Sequence, residues 1–243
     1  MTACTDGIGL GFSQILAQNG INIIQVGRNP SKLQQCASDL NSKYGVQVKS
    51  ITKDFLDCPS NPAQFFSDIF EQCKDLDISI LVNNVGFGAE SLFLNSSESV
   101  ILQQNALNLW PIVYLSRLFL EKLGKRAIPG YVINLSSIIS LRPTACGVLY
   151  AAGKSFDKVF SLICNGESKV KVLCLTPGFV LTPMEQKLKL RPLEISSKEC
   201  ATSALNTLGS VNITCGHWKH WIVSTLMNII GDLADILYPI INK

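Results

Sequence analysis

The sequence predicts an α/β fold: a doubly wound parallel sheet with helices on both faces. Three observations predict it. Apolar strand-like runs alternate with segments of helical periodicity, short links join them, and several runs end on small polar or glycine residues.

The elements follow in order. Residues 7–19 repeat apolar side chains (Ile8, Phe12, Ile15, Leu16) at helical spacing, and Gly20 supplies a stop. Residues 21–26 form a buried-strand run. Asn29 then offers a cap and Pro30 a first helical position, opening a helix to about residue 42. Residues 46–52 read as a strand that leads to Asp54, 63–73 as a helix, and 78–82 as a strand running into Asn83, Asn84, Val85 and Gly86. A long helix is expected over 99–122, kinked by Pro111. Residues 130–135 form a strand, 149–164 a helix, and 170–175 a strand closed by Thr176, Pro177 and Gly178. No repeat, low-complexity stretch or linker interrupts residues 1–243, which read as one domain with an amphipathic helical extension over 216–243.

Composition narrows the function classes. A net charge of +3 over 243 residues, with no basic run, argues against a nucleic-acid partner. The nine cysteines are odd in number, scattered and without a CxxC pair, so they read as reduced, mostly buried apolar residues. His217 and His220 lie one helical turn apart without convincing partners, and no metal site is expected. The opening residues lack the charged start and apolar run of a signal peptide. No window reaches the roughly 20 apolar residues of a spanning helix. The Trp218–Ile241 stretch is broken by Lys219, Asp232, Asp235 and Pro239, and reads as a helix docked on the body or lying on a membrane surface.

Tyr150 and Lys154 carry the chemistry. Four residues apart on a helix, they share one face, and a cation beside a phenol lowers a pKa that starts near ~10. The pair can exchange a proton with a carbonyl or alcohol oxygen near neutral pH. Ser137, thirteen positions before Tyr150, adds a hydroxyl for the same oxygen. The loop from Thr2 to Gly9 opens the first helix, where Gly7 and Gly9 let the backbone approach a pyrophosphate; an ordinary glycine turn would look the same. Arg28, after a buried strand, suits a ribose 2′-phosphate or is a solvated loop arginine. Asp54 could accept from an adenine amine or cap a turn. Asn84 and Gly86, and later Pro177, Gly178, Val180 and Thr182, follow the carboxyl ends of strands, where open α/β sheets bind ligands.

In this order and spacing, these elements resemble the short-chain dehydrogenase/reductase family over nearly the whole chain. Residues 5–9 and 27–33 are most similar to its 17-beta-hydroxysteroid dehydrogenase and very-long-chain 3-oxoacyl-CoA reductase branch, and residues 216–221 more weakly so. The resemblance implies a Rossmann-like fold, NADP(H) as cofactor, and reduction of a lipid-like ketone. It implies Tyr150 as general acid/base, Lys154 as its modulator and a ribose ligand, and Ser137 as the carbonyl-orienting hydroxyl. Asn108, with Asn105 as competitor, would hold a water in a proton relay. Thr2, Thr5, Asp6, Gly7, Ile8, Gly9, Arg28, Asp54, Asn84, Gly86, Tyr150, Lys154, Pro177, Gly178, Val180 and Thr182 would contact the cofactor. A homodimer, peripheral membrane contact through the C-terminal helix, and an endoplasmic reticulum location (or a cytoplasmic one) are implied likewise.

The sequence departs from that pattern at its start. The family's first loop glycine is Ala3, and a methyl group at a positive φ costs about 1 kcal/mol. Only Met1, Thr2 and Ala3 stand where the family has its central first strand, so that strand reads as truncated, leaving its two neighbours across a gap. Residues 150–177 are a few short of the usual family spacing, and residues 188–195 fall where the family places a substrate lid. Two other functions compete with a lipid reductase: a binding or scaffold protein without a competent cofactor site, and a reductase of small sugars or polyols.

Overall fold

The computed structural model describes residues 1–88, 92–141, 147–167, 169–183 and 191–241. The order is α1 (Gly7–Gln18), β1 (Ile23–Gly27), α2 (Pro30–Tyr44), β2 (Val48–Thr52), α3 (Pro62–Glu71), β3 (Ile80–Asn83), α4 (Glu98–Gln104), α5 (Trp110–Gly124), β4 (Tyr131–Leu135), α6 (Val148–Glu167), β5 (Lys171–Leu175), β6 (Val180–Leu181), β7 (Ile195–Ser196), α7 (Ser197–Thr207), β8 (Ile213–Thr214) and α8 (Trp218–Ile241). Every pairing between these strands is parallel.

Local chemistry sets the helix ends. Asn29 caps α2 by accepting from the Lys32 amide, with Pro30 in the first turn. Ser196 and Glu199 form a reciprocal capping box on α7. The long helix expected over 99–122 is instead three pieces: α4, a π turn at Asn105–Leu109, and α5. Pro111 lacks an amide proton and its ring crowds the preceding turn, so the helix widens just before it.

Helices α3, α5 and α6 cover one face, where Phe66, Leu115 and Phe119 pack on Val132 and Val172. Helices α1 and α7 cover the other with Phe12, Cys200 and Ala204 on Ile133 and Leu173, and α1 and α2 extend that layer over Ile23. Val132, Ile133 and Leu175 are fully buried, each contributing about 1.5–3 kcal/mol. None of the eight described cysteines forms a disulfide, and seven of them are buried. Cys146 lies outside the described residues.

The strands form two blocks, β1–β2 and β3–β4–β5–β8, with β6–β7 as a separate pair. Between β1 and β3, the expected gap is closed only at its carboxyl end. There the Thr2 amide donates to the Val82 carbonyl (3.1 Å), the Ala3 amide to the Val26 carbonyl (3.0 Å), and the Val26 amide to the Met1 carbonyl (2.9 Å). One parallel bridge, Thr2 to Val26, joins the blocks.

Candidate active site

The clasp that joins the two blocks also builds the first half of the site. The buried Thr2 hydroxyl accepts from the Asn84 and Val85 amides, both at 2.9 Å, while the Asn84 side chain donates to the carbonyls of Thr2 (3.1 Å) and Ala3 (2.9 Å). The loop after β3 is thereby tied to the loop before α1. Ala3 has φ +49°, in the left-handed region, one of the two demands the sequence left open at this position, and Gly7 follows at +54°. A Cβ on Gly9 would overlap the Ala3 carbonyl and sit 2.6 Å from Asn84 Nδ2, so only glycine fits. Asp6 caps α1 without a side-chain bond, and its carboxylate pairs instead with Lys32 at 2.8 Å. No side chain therefore caps the first-turn amides of this twelve-residue helix. Thr5 and Ile8 are half-buried beside them.

Arg28 is exposed immediately after β1. Asp54 follows β2, and its carboxylate accepts from the Leu56 amide at 3.0 Å, the turn-capping role that the sequence left open. The buried Gln25 holds this side together, donating to the Leu33 carbonyl (2.6 Å) and Ser50 Oγ (2.7 Å).

The second half assembles at the carboxyl ends of β3, β4 and β5. Lys154 is almost wholly buried, and its ammonium donates to the Leu135 carbonyl (2.7 Å) and to the Asp157 carboxylate (3.0 Å). It lies 5.9 Å from the centre of the Tyr150 ring. Burial pushes the ammonium pKa down, but the Asp157 carboxylate and the Tyr150 phenol outweigh it, and the net direction is upward. Asp157 is fully buried, one of its oxygens has no hydrogen-bond partner, and burial raises its pKa to about 6 against the pull of Lys154. The Ser136 hydroxyl donates to the Lys154 carbonyl at 2.6 Å, fixing α6 to the end of β4. Ser137 is half-buried at the start of a short 3-10 turn, and its hydroxyl accepts from the Ile139 amide at 3.4 Å.

Asn108 lies in the π turn with its side chain buried. It accepts from the Phe87 amide (2.9 Å), donates to the Phe87 carbonyl (2.8 Å), and bonds to Gln104. A Cβ on Gly86 would lie 3.0 Å from Asn108 Oδ1 and 3.4 Å from Lys154 Nζ, which brings Gly86, Asn108 and Lys154 to one point.

Pro177 and Val180 are buried, and the Pro177 carbonyl accepts from the Ile138 amide at 3.0 Å. Thr182 reaches back to the start of α1, its methyl 3.1 Å from where a Gly7 Cβ would stand. Behind this loop the buried His220 ring bonds to the Phe179 carbonyl (3.0 Å) and the Cys215 carbonyl (3.3 Å) and packs under Gly178. Burial lowers its pKa, and in its neutral form the ring donates to only one of these two carbonyls at a time. Sequence reasoning missed the roles of His220 and Asp157. Asp157 was detectable as a carboxylate one turn beyond Lys154 on the same helix.

Of residues 188–195, 188–190 lie outside the described residues; Arg191–Leu193 form a 3-10 turn and Ile195 is buried in β7. Among the described residues no cluster suited to a metal ion is found, and no helix is long and apolar enough to cross a membrane. Helix α8 spans the stretch expected from the sequence. It docks through His220, Val223 and Ser224 and exposes Trp218, Trp221 and Leu226.

A family model described as short chain dehydrogenase matches residues 1–192. A 17-beta-hydroxysteroid dehydrogenase type 3 of Rattus norvegicus is 32% identical over 95% of this chain and 75% of its own length. A very-long-chain 3-oxoacyl-CoA reductase of Homo sapiens is 29% identical over 98% of this chain and 76% of its own. Among solved structures, a 7beta-hydroxysteroid dehydrogenase aligns with a TM-score of 0.80 at 22% identity, covering 91% of this chain and 88% of that one. A short-chain dehydrogenase from Sphingobium yanoikuyae, in complex with NADPH, aligns with a TM-score of 0.77 at 21% identity, covering 85% and 82%. With a model spanning most of its length and relatives near 30% identity, the chain belongs to the short chain dehydrogenase family.

Proposed function

We propose that this chain is an NADP(H)-dependent reductase of a lipid ketone, either a 3-oxoacyl-CoA or a steroid-like ketone, acting through Ser137, Tyr150 and Lys154. The observation that carries this reading is the buried Lys154 ammonium, fixed by Leu135 and Asp157 and held 5.9 Å from the Tyr150 ring at the carboxyl edge of the sheet. The names of the curated relatives support the substrate class.

The residues fit a dinucleotide. First-turn amides of α1 that no side chain caps, with only glycine fitting at position 9, suit a pyrophosphate. Arg28 would meet the 2′-phosphate, while Asp54, Asn84, Gly86 and the Pro177 to Thr182 loop would line the remainder. When bound, the nicotinamide supplies the hydride. Tyr150 then gives its phenolic proton to the substrate oxygen, and the Lys154 ammonium stabilises the phenolate left behind. Ser137 holds the same oxygen by a hydrogen bond. Asn108 acts by fixing the Phe87 backbone, because its amide is already engaged there and at Gln104.

Titration with NADPH, followed by cofactor fluorescence and thermal shift, tests the reading: saturable binding with a raised melting point supports it. No shift at millimolar NADPH favours a second reading, a binding or scaffold protein. The single Thr2 to Val26 bridge between the sheet blocks favours that alternative.

We also propose a homodimer through α6, whose exposed Phe156, Val159 and Ile163 form one stripe, and peripheral membrane contact through the apolar face of α8. We propose an endoplasmic reticulum location on the branch resemblance alone, and a role in fatty acid or steroid metabolism follows from the substrate class. Ile163→Arg should yield monomers in light scattering, and an unchanged mass would remove the dimer.

A further inference from the structure

A buried polar ladder crosses from β3 over β4 to α6. The Asn83 side chain donates to Asn134 Oδ1 (2.8 Å), the Asn134 side chain to Ser161 Oγ (3.0 Å), and the Ser161 hydroxyl to the Asp157 backbone carbonyl (2.6 Å). The ladder ends on backbone and passes the Asp157 carboxylate by. That carboxylate is fully buried. One of its oxygens has no hydrogen-bond partner, and the other meets the Lys154 ammonium at 3.0 Å. A bare buried carboxylate oxygen is unfavourable, because nothing there replaces the water it gave up. The fold therefore gains nothing from this acid except its one contact, with Lys154.

Lys154 needs that contact. An isolated ammonium at its depth sheds its proton, because burial disfavours the charged form. Its other partner, the Leu135 carbonyl, carries no charge. The titratable groups that surround the pair are Tyr150 and Lys158 on α6 and Cys174 on β5. Lys158 is turned to the Ser140 carbonyl at 3.0 Å, and Cys174 stays a neutral thiol, its pKa pushed up to about 12 by burial. Tyr150 carries a charge only after it has given up its proton. Among the described residues, Asp157 is thus the one carboxylate paired with Lys154. Burial is the largest influence on the Lys154 pKa, and Asp157 the largest one opposing it.

We propose that Asp157 is a positioning residue of the catalytic site, whose carboxylate keeps the buried Lys154 ammonium charged and so lets it serve Tyr150. The catalytic part of this rests on the reductase reading above; the ion pair does not. Without the carboxylate, Lys154 gives up its proton on the alkaline side of neutrality. The phenolate left on Tyr150 after proton transfer then loses the cation that stabilises it. Asp157 touches neither substrate nor cofactor in this scheme and acts only through Lys154.

Two measurements on the full chain test this, and the first needs neither cofactor nor turnover. Lysines are labelled with carbon-13 at Cε, Lys154 is assigned by its loss in Lys154→Arg, and its resonance is followed from about pH 4 to about pH 9. In the wild type it should stay that of an ammonium, with a small step where Asp157 takes up its proton, at about 6. Asp157→Asn keeps the shape and an acceptor oxygen and removes only the charge. In that variant Lys154 should bind its proton about a thousandfold more weakly and titrate within the range. The second measurement is the pH profile of ketone reduction. The Asp157→Asn kcat should approach the wild-type value at about pH 6 and fall at least about tenfold below it by about pH 9. An unchanged Lys154 titration in Asp157→Asn overturns the proposal. So does a wild-type Lys154 resonance that takes no step where Asp157 titrates, an outcome that needs no variant to fold. A kcat lowered equally at every pH would mark a merely structural role and overturn it too. A wild type that reduces no ketone would contradict the reductase reading instead, and the Lys154 titration would still decide the role of Asp157.

Discussion

Ala3→Gly should stabilise the protein. Ala3 is the only described non-glycine residue at positive φ, at +49°. Its Cβ there costs about 1–2 kcal/mol against a glycine in the same conformation. The replacement also loosens the unfolded chain, which offsets about 0.4–1 kcal/mol of that gain. Both hydrogen bonds at the position are made by backbone, from the Ala3 amide to Val26 and from Asn84 to the Ala3 carbonyl, so neither is lost. The net expectation is a gain of about 0.5–1 kcal/mol, or a melting rise of about 1–4 °C for a chain of this size. Urea denaturation of the wild type, Ala3→Gly and Ala3→Val gives the comparison. Valine, branched at Cβ, should cost more than 1 kcal/mol at about the same site. Because Ala3 also anchors Asn84, Ala3→Gly should bind NADPH at least as tightly as the wild type. A glycine variant less stable than the wild type would refute the reasoning, since it would mean that the turn is not strained.

Tyr150→Phe should retain NADPH binding but lose turnover by about 10²–10⁴-fold, measured as steady-state kcat beside a binding isotherm. Gly9→Ala should destabilise the chain by about 1–3 kcal/mol in urea and weaken NADPH binding, because its methyl group collides with the Ala3 carbonyl and Asn84. The Asp157 carboxyl, raised from 3.8 to about 6 in the folded state, holds its proton more tightly folded than unfolded between those values. Its contribution therefore favours folding at low pH and is progressively lost as pH rises from about 4 to 6. The stability of the wild type relative to Asp157→Asn should fall across that window by about 2 kcal/mol, read from denaturation midpoints at several pH values. A difference that stays constant with pH would show that Asp157 is not perturbed.

Much of this molecule was legible in the chain because its signals are local. Asn29 followed by Pro30 marks the start of α2, and the periodicity of residues 7–19 marks α1 to within one residue. The left-handed turn at Ala3 could be anticipated because a glycine usually stands there in similar chains. Other features arise only from packing. The π turn at Asn105–Leu109 depends on how Pro111 is accommodated, and it is what aims Asn108 at Phe87. Asp54 carried two readings that sequence could not separate, and its bond to the Leu56 amide is a turn cap. The sequence also suggested a gap beside the first loop, but not that the Thr2 hydroxyl would bridge it by gripping the Asn84 and Val85 amides. His220 acts through the Phe179 carbonyl, a partner that no spacing motif indicates, whereas Asp157 lies one helical turn beyond Lys154 and was within reach of the sequence.

The central claim is that the Tyr150 and Lys154 pair works on a bound ketone with NADPH. Its most direct test is oxidation of NADPH at 340 nm with a panel of 3-oxoacyl-CoA and steroid ketones, with the alcohol product identified. The predicted result is one alcohol formed per NADPH consumed by the wild type, and none by Tyr150→Phe. Saturable NADPH binding with no alcohol from any ketone in the panel, or equal rates for the two proteins, would contradict it.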